Sequence, residues 1–451
     1  MSADWPRFTV AELQAARHLL VEDGNHGEYR PRSEEFATAG VSFIRAADMD
    51  DGRVLFESAA CINNVARARI RKGVGRPGDV LLSHKGTVGK VALVPERCPD
   101  YVCSPQTTFW RVLDESILDR AYLFAYLQSQ EFKDQLASRK GETDMADYVS
   151  LTAQRQLTVP LPPLKIQRSI GVHLSMLSNR IALLRETNAT LEAIALALFK
   201  SWFVDFDPVR AKQQGLVPLG MDEPTAALFP ATYEEWQAQA SRPAVSDMIA
   251  SGWLLIGDGY RAKNNELGRP GVPFVRAGDL DAGQITPTKD YLAEPAVRAA
   301  STKMAKPGDT AFTSKGTIGR FAFVDTASGE AVYSPQVCFW RSLRTDIVEP
   351  AYLHYWMKSA AFKVQVDAVR GQAAIMDYVS LADQRRMRLD IPPIRVQKRF
   401  AEIAQVIIEQ ISCNRSLATY LTSVRDSLLP RLISGQLRLT EVATQTTDVL
   451  T

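Results

Sequence analysis

The sequence predicts an α+β protein of two tandem mixed α/β domains, each followed by a long helix, the two helices pairing as an antiparallel coiled coil about a pseudo-twofold. Three observations predict it. The chain is written twice, at an offset of about 230 residues. Each copy opens on short runs rich in β-branched and aromatic residues and ends at a proline boundary. A heptad run follows each boundary.

The duplication is ordered. Ser83-His84-Lys85-Gly86-Thr87-Val88-Gly89-Lys90 returns as Thr313-Ser314-Lys315-Gly316-Thr317-Ile318-Gly319-Arg320. Pro77-Gly78-Asp79 returns as Pro307-Gly308-Asp309, Ser104-Pro105-Gln106 as Ser334-Pro335-Gln336, and Phe109-Trp110-Arg111 as Phe339-Trp340-Arg341. Asp147-Tyr148-Val149-Ser150-Leu151 recurs unchanged as Asp377-Tyr378-Val379-Ser380-Leu381. Gly40 to Arg45 answers to Gly271 to Arg276, one residue out of step. So long a period excludes a solenoid, whose repeats run to roughly 20–50 residues, and makes each copy a domain.

Within the first domain, residues 1–160, strand-like runs such as Val80-Leu81-Leu82-Ser83, Val91-Ala92-Leu93-Val94 and Thr107 to Val112 lie between glycine-bearing turns. A helix is expected near residues 120–138, with Leu123, Tyr126, Leu127 and Phe132 on its apolar side. Val10 to Gly24 reads as an extra helix that the second copy lacks. Pro160-Leu161-Pro162-Pro163 then forces an extended boundary. The helical spacer, 161–212, carries Ile170, Leu174, Leu177, Ile181, Leu184, Leu191 and Leu198 at alternating four and three, with Asn188 and Ala195 completing the seam. At about 1.5 Å per residue, a run of roughly 36 residues makes a rod of about 54 Å. Residues 213–250 are rich in turn formers and read as an irregular connector. The second domain, 251–390, repeats the first. After Ile391-Pro392-Pro393, the spacer 391–440 holds Phe400, Ala404, Ile407, Ile411, Asn414, Ala418, Leu421 and Leu428 in the same register. Residues 441–451 form a threonine-rich, frayed tail. Each seam needs a partner helix, and the other copy supplies one; Asn188 and Asn414 on the seams can fix the register.

Composition narrows the function. With 46% hydrophobic and 23% charged residues the chain is an ordinary globular one, with no apolar run long enough for a membrane and no secretory leader, so it is expected in the cytoplasm. Five cysteines form no Cys-x-x-Cys pair and lie near no histidine, which excludes the common zinc spacings. The net charge of +2 is far from that of a strongly basic nucleic-acid binder, so any such affinity must be local. The Pro162-Pro163 and Pro392-Pro393 pairs lack the flanking Asn or Asp and aromatic of an adenine-methyltransferase loop. Gly86 to Lys90 lacks the spacing of a phosphate-binding nucleotide loop. The five histidines do not repeat between copies, and His84 faces Ser314. No catalytic constellation is identifiable.

Three segments carry a resemblance. Leu198 to Lys212, Leu198-Phe199-Lys200-Ser201-Trp202-Phe203-Val204-Asp205-Phe206-Asp207-Pro208-Val209-Arg210-Ala211-Lys212, is similar to the end of the central helical region of type I restriction–modification specificity subunits. Ser427 to Leu437 is similar to that family's closing segment, and Lys306-Pro307-Gly308-Asp309-Thr310 with Lys315 to Gly319 to a third motif. The resemblance spans essentially the whole chain. It implies two target-recognition domains that read two halves of an asymmetric, interrupted sequence in double-stranded DNA. It also implies two modification (methyltransferase) subunits docked on the helices and two restriction (motor-nuclease) subunits. No cofactor is then expected on this chain; S-adenosylmethionine, ATP and Mg belong to the partners. The competing expectation is a tandem coiled-coil scaffold that binds only protein.

A DNA-binding role has residues to draw on. Lys85, Gly86 and Thr87, with Lys315, Gly316 and Thr317, put a cation, a flexible amide and a hydroxyl on one loop, a set that suits phosphate oxygens. Lys90 and Arg320 can extend that contact. Gln106 and Gln336 carry amides able to pair with adenine, although a shared Ser-Pro-Gln also reads as a structural turn, and that reading leads slightly. Base readout is expected where the copies differ: Arg67, Arg69 and Arg71, alternating on an extended segment, would share one face. A solvated basic loop explains them equally well. The repeated Asp147 to Leu151 segment is expected to cap and pack rather than to touch DNA.

Overall fold

The computed structural model describes residues 5–24, 26–139, 147–281, 283–286, 288–369 and 378–437. The predicted tail and Asp377 of the repeated pentapeptide lie outside the described residues. In order, the first half runs β1 (Arg7–Thr9), α1 (Val10–Ala15), β2 (Leu19–Asp23), β3 (Phe36–Ala37), β4 (Val41–Ile44), β5 (Met49–Asp50) and β6 (Arg53–Val54). It continues through β7 (Cys61–Ile62), α2 (Asn64–Arg69), β8 (Val80–Ser83), β9 (Val91–Leu93), β10 (Tyr101–Cys103) and β11 (Thr107–Val112). α3 (Arg120–Leu127), α4 (Gln130–Ala137), α5 (Leu151–Arg155), β12 (Thr158–Pro160) and the long α6 (Leu164–Phe203) close it. Four short helices follow, α7 (Asp207–Gln213), α8 (Glu223–Ala227), α9 (Tyr233–Gln239) and α10 (Val245–Ala250). Then come β13 (Leu254–Asp258), β14 (Gly271–Val275), β15 (Leu280–Asp281), β16 (Gln284–Ile285), β17 (Tyr291–Ala293) and α11 (Glu294–Val297). β18 (Thr310–Thr313), β19 (Phe321–Phe323), β20 (Val332–Tyr333), β21 (Val337–Ser342), α12 (Pro350–Met357), α13 (Ala360–Val369), α14 (Leu381–Arg386) and the long α15 (Ile394–Ile433) end it.

The chain divides into two units, residues 1–183 with 417–451, and residues 184–416. In the first, an antiparallel sheet β2-β11-β8-β9 adjoins a second sheet β10-β4-β7-β3 in which β10 and β4 run parallel. In the other, β13-β21-β18-β19 and β17-β14-β20 repeat that plan, again with one parallel pair, β14 and β20. The predicted α+β class with tandem domains is what is observed.

One lock explains most of the duplicated motifs. Asp79 is fully buried and takes both Arg111 Nε and Nη2, at 2.7 and 2.8 Å, and the Tyr101 hydroxyl at 2.9 Å. Asp309 takes Arg341 at 2.5 and 2.7 Å and Tyr333 at 2.9 Å. The Pro-Gly-Asp turn that delivers each carboxylate needs a left-handed residue, with φ +79° at Gly78 and +90° at Gly308. The neighbouring tryptophans, Trp110 and Trp340, are buried and donate their indole N–H to Gln154 and Gln384. Ser150 and Ser380 cap the helices that carry those glutamines, the capping role expected of the repeated pentapeptide.

The long helices pair antiparallel. In the unit 184–416, Asn188 donates to the carbonyl of Ile411 at 3.2 Å and accepts from Asn414 at 2.9 Å, while Phe199 packs on Phe400 at 5.6 Å. The predicted seam is buried along α15 at Phe400, Ala404, Ile407 and Ile411. In the other unit Ile170, Leu174, Leu177 and Ile181 of α6 are buried, as are Leu421 and Leu428 of α15. Both helices are 40 residues long, slightly more than the heptads alone mark. Among the described residues no helix is long and apolar enough to cross a membrane.

Four expectations are corrected. The helix near 120–138 is two helices, because the Ser129 hydroxyl accepts from Phe132 N–H and starts α4 afresh. The connector 213–250 is not irregular: α8, α9 and α10 lie in it, with Asp222 and Thr232 as side-chain caps of the first two. The helix at Val10 is no addition, since α1 leads into β2 as α10 leads into β13. Finally, Arg67 to Lys72 is not one extended segment; Asn63 caps α2 by accepting from Ala66 N–H, Arg67 and Arg69 lie on that helix, and the backbone turns extended only at Ile70.

Candidate functional site

In each domain four chain segments end side by side at one exposed edge. In the first, β2 ends at Asp23, and Gly24 N–H donates to Thr107 at 3.1 Å. Gln106 precedes β11, and its carbonyl accepts from His84 N–H at 2.9 Å. Lys85, just past β8, bridges Tyr148, with Val149 N–H on the His84 carbonyl at 2.9 Å and Gly86 N–H on that of Asp147 at 3.0 Å. The row is therefore Asp23, Gln106, Lys85, Tyr148, and three strand spacings of about 4.8 Å make it roughly 14 Å wide. In the second domain Asp258, Gln336, Lys315 and Tyr378 occupy the same register: Asp258 faces Cys338 as Asp23 faces Thr108, Ser314 N–H meets the Gln336 carbonyl at 2.9 Å, and Lys315 bridges Tyr378.

The Lys-Gly-Thr loops share one backbone shape. φ is +79° at both Gly86 and Gly316, which only glycine adopts without strain. Lys85, Gly86, Thr87 and Gln106 are exposed, and a side chain added at Gly86 would touch the Gln106 amide. Thr317 and Gln336 are exposed, with Lys315 and Gly316 half-buried. Lys90 differs from the expectation: its Nζ donates to the Met49 carbonyl at 2.8 Å, so it holds the loop from behind, whereas Arg320 is exposed.

Charge in the row is set locally. His84 is buried; burial lowers its pKa against the opposing pull of the Val149 carbonyl, which Nδ1 meets at 3.0 Å. The ring is neutral near pH 7, and Nε2 has no partner among the described residues. Burial raises the Asp258 carboxyl, but the Lys303 ammonium at 2.7 Å, with a further contribution from Lys315, more than offsets it, and the net shift is downward.

The three arginines of the first domain part company. Arg67 donates to the carbonyl of Ile70 at 3.3 Å. Arg69 grips Glu35 through two bonds of 2.6 Å and holds that carboxyl at about 2, so it is structural. Arg71 is exposed and lies over the Tyr29 ring at 5.9 Å. Thus the structure joins the Lys loops to the Ser-Pro-Gln glutamines and leaves Arg67 and Arg69 outside. The tyrosines were missed although the unchanged pentapeptide flagged them, because capping by Ser150 and Ser380 accounts for the motif without them. The aspartates carry no motif at all.

The edge offers an ammonium, an amide, a phenol and a carboxylate, an array suited to hydrogen bonding along a polar polymer. Among the described residues no three His, Cys, Asp or Glu side chains group as metal ligands.

Comparison with known proteins is consistent with that array. Residues 27–193 match the type I restriction modification DNA specificity domain. The chain is 25% identical to the type I restriction enzyme HindI specificity subunit of Haemophilus influenzae, over 96% of this chain and 100% of that one. It is 24% identical to the MjaIX specificity subunit of Methanocaldococcus jannaschii, over 81% and 79%. The crystal structure of the type I restriction–modification S subunit from M. genitalium shares its fold, with a TM-score of 0.55 at 14% identity, covering 95% and 96% of the two chains.

Proposed function

We propose a function from one premise: the chain belongs to the specificity-subunit family of type I restriction–modification enzymes. Recognition of DNA sequence is the general role of that family, and the chain carries it as a non-catalytic subunit. The finer reading is that each domain reads one half of a bipartite, asymmetric target in double-stranded DNA. The observation that carries it is the doubled row, Lys85 with Gln106 and Lys315 with Gln336, in one register on two domains. Two identical domains would favour a palindromic target; two similar ones favour unequal halves.

Modification subunits that hold S-adenosylmethionine dock, in this proposal, on the long helices, and motor-nuclease subunits bring ATP and Mg. Exposed apolar side chains support the docking. Val172, Met176 and Leu183 on α6 are more than half exposed, and Val406 and Cys413 on α15 stand at the positions that match Met176 and Leu183 in the duplication. Seven-residue spacing of exposed apolar groups suits a further helix.

Mapping methylated adenines in cells that carry this chain with its modification subunit tests the proposal. One motif with two specified halves around unspecified bases is expected, and the isolated chain should transfer no methyl group from labelled S-adenosylmethionine. A contiguous motif, or activity of the isolated chain, contradicts it.

The loops give a second prediction. Lys85→Ala or Lys315→Ala in the assembled methyltransferase should weaken binding to all sequences alike and reduce the slope of log affinity against log salt by about one. An unchanged slope, read by titration at several salt concentrations, would make these lysines purely structural.

A further inference from the structure

We propose that Arg71 in the first domain and Arg269 in the second read bases, each presenting its guanidinium fork to a guanine in its own half of the target. The inference rests on the bipartite reading above and assigns the side chains that set the specificity.

The duplication itself separates two kinds of contact. Phosphates are the same under any sequence, so groups that touch them can be shared by both domains. Base contacts must differ wherever the halves differ. The row of Lys, Gln and Tyr is shared. An arginine lying over a tyrosine ring is not: it occurs in both domains, but at unrelated positions.

In the first domain Arg71 is exposed, makes no ion pair among the described residues and lies 5.9 Å over Tyr29. Its neighbours Arg67 and Arg69 are committed to Ile70 and Glu35. The pair flanks the strand that leads into the row. His26, three residues before Tyr29, bonds the Cys103 carbonyl at 2.9 Å, and Cys103 N–H donates to Gly73, two residues after Arg71, at 2.8 Å. Cys103 in turn stands three residues before Gln106. In the second domain the position of Arg71 is Ser301, as the matched turns of Ile70 on Ala66 and Ala300 on Ala296 show. There Arg269, also exposed and without an ion pair among the described residues, lies 3.9 Å over Tyr291. The strands match Val41 on Ile62 with Val272 on Leu292, so the first domain has Thr38 and Cys61 at those places.

The chemistry favours guanine. A ring face attracts the guanidinium plane and restricts a long side chain that would otherwise be free. It leaves the N–H edge open, and two parallel N–H groups match O6 and N7 of guanine in the major groove. A phosphate contact would need no such restraint.

The test uses the assembled methyltransferase on duplexes altered one base pair at a time, together with methylation mapping in cells. Arg71→Ala should lose about 10- to 100-fold of the discrimination at one guanine in one half and leave the other half as in the parent. Arg269→Ala should do the same in the opposite half. Arg71→Lys, which keeps the charge but not the fork, should resemble Arg71→Ala, whereas Tyr29→Phe, which keeps the ring, should resemble the parent. An unaltered motif in the arginine variants overturns the assignment. So does an equal loss on every duplex with a salt slope lower by one, the mark of a phosphate contact. Failure of the bipartite reading would show separately, as a parent complex with no two-part motif.

Discussion

Replacing Asp309 with alanine should destabilise the second domain by about 3 to 5 kcal/mol, because it leaves a buried arginine without its counter-charge. Asp309 is fully buried, and the Arg341 side chain is 11% exposed. The carboxylate accepts both guanidinium bonds, the Tyr333 hydroxyl at 2.9 Å and the Lys306 N–H at 3.0 Å. Alanine removes the counter-charge and all of these bonds at once and leaves Arg341 the Met304 carbonyl at 3.0 Å, beside Phe339 and Trp340, both buried. Asp309→Asn keeps an oxygen for some of the donors and should cost less. Hydrogen exchange resolved by peptide is the suitable measurement, since a two-unit chain need not unfold in one step. Protection around β18 and β21 should fall by two orders of magnitude or more, while β8 and β11, held by Asp79 and Arg111, keep theirs. Unchanged protection in the second domain would show that the lock contributes nothing to stability.

That lock also marks what could be read in advance. The duplicated Pro-Gly-Asp and Phe-Trp-Arg motifs recur because one buried network needs the aspartate of the first and the arginine of the second, so identity at a distance of 230 residues revealed two domains directly. Heptads were legible because a coiled-coil seam is a local period, and Asn188 does meet Asn414 as the pattern implied. What the sequence hid depends on partners far away along the chain. Arg69 is neutralised by Glu35, 34 residues earlier, and nothing near Arg69 announces it. The α2 helix was missed because alternating Arg-Ala-Arg looks extended, while the Asn63 cap and the burial of Ala66 and Ile70 decide for a helix. Short helices in 213–250 were masked by turn formers, one of which starts a helix: Pro224 sits in the first turn of α8, where a missing N–H costs nothing.

Exchanging the second recognition domain for that of a relative should replace one half of the DNA target completely and leave the other half untouched. The structure shows why such a graft can hold. Gln397, near the start of α15, accepts from Glu349 N–H at 3.0 Å and donates to the carbonyls of Ile347 and Pro392 at 3.1 and 2.8 Å. Gln167 makes the matching three bonds in the first domain, to Asp119 N–H and to the carbonyls of Ile117 and Pro162. All six partners are backbone groups, so the clamp that fixes a domain on its helix makes no demand on the domain's side chains. The limits of the exchange follow from the pairing. Ser241 and Ala244 bridge Ile391 and Arg388, and α10 packs on β13 and α14, so the graft must begin at Ser241 and end at Pro393 rather than start after α10. It should retain Tyr352 and Tyr355, since Phe199, Phe203 and Phe400 of the two helices pack on them. Leaving Gln397 in place, the chimera should methylate a motif whose first half is the parent's and whose second half is the donor's. Methylation mapping in cells reads the outcome. A motif changed in both halves would mean that the domains do not read separately, and a parental motif would place recognition outside residues 241–393.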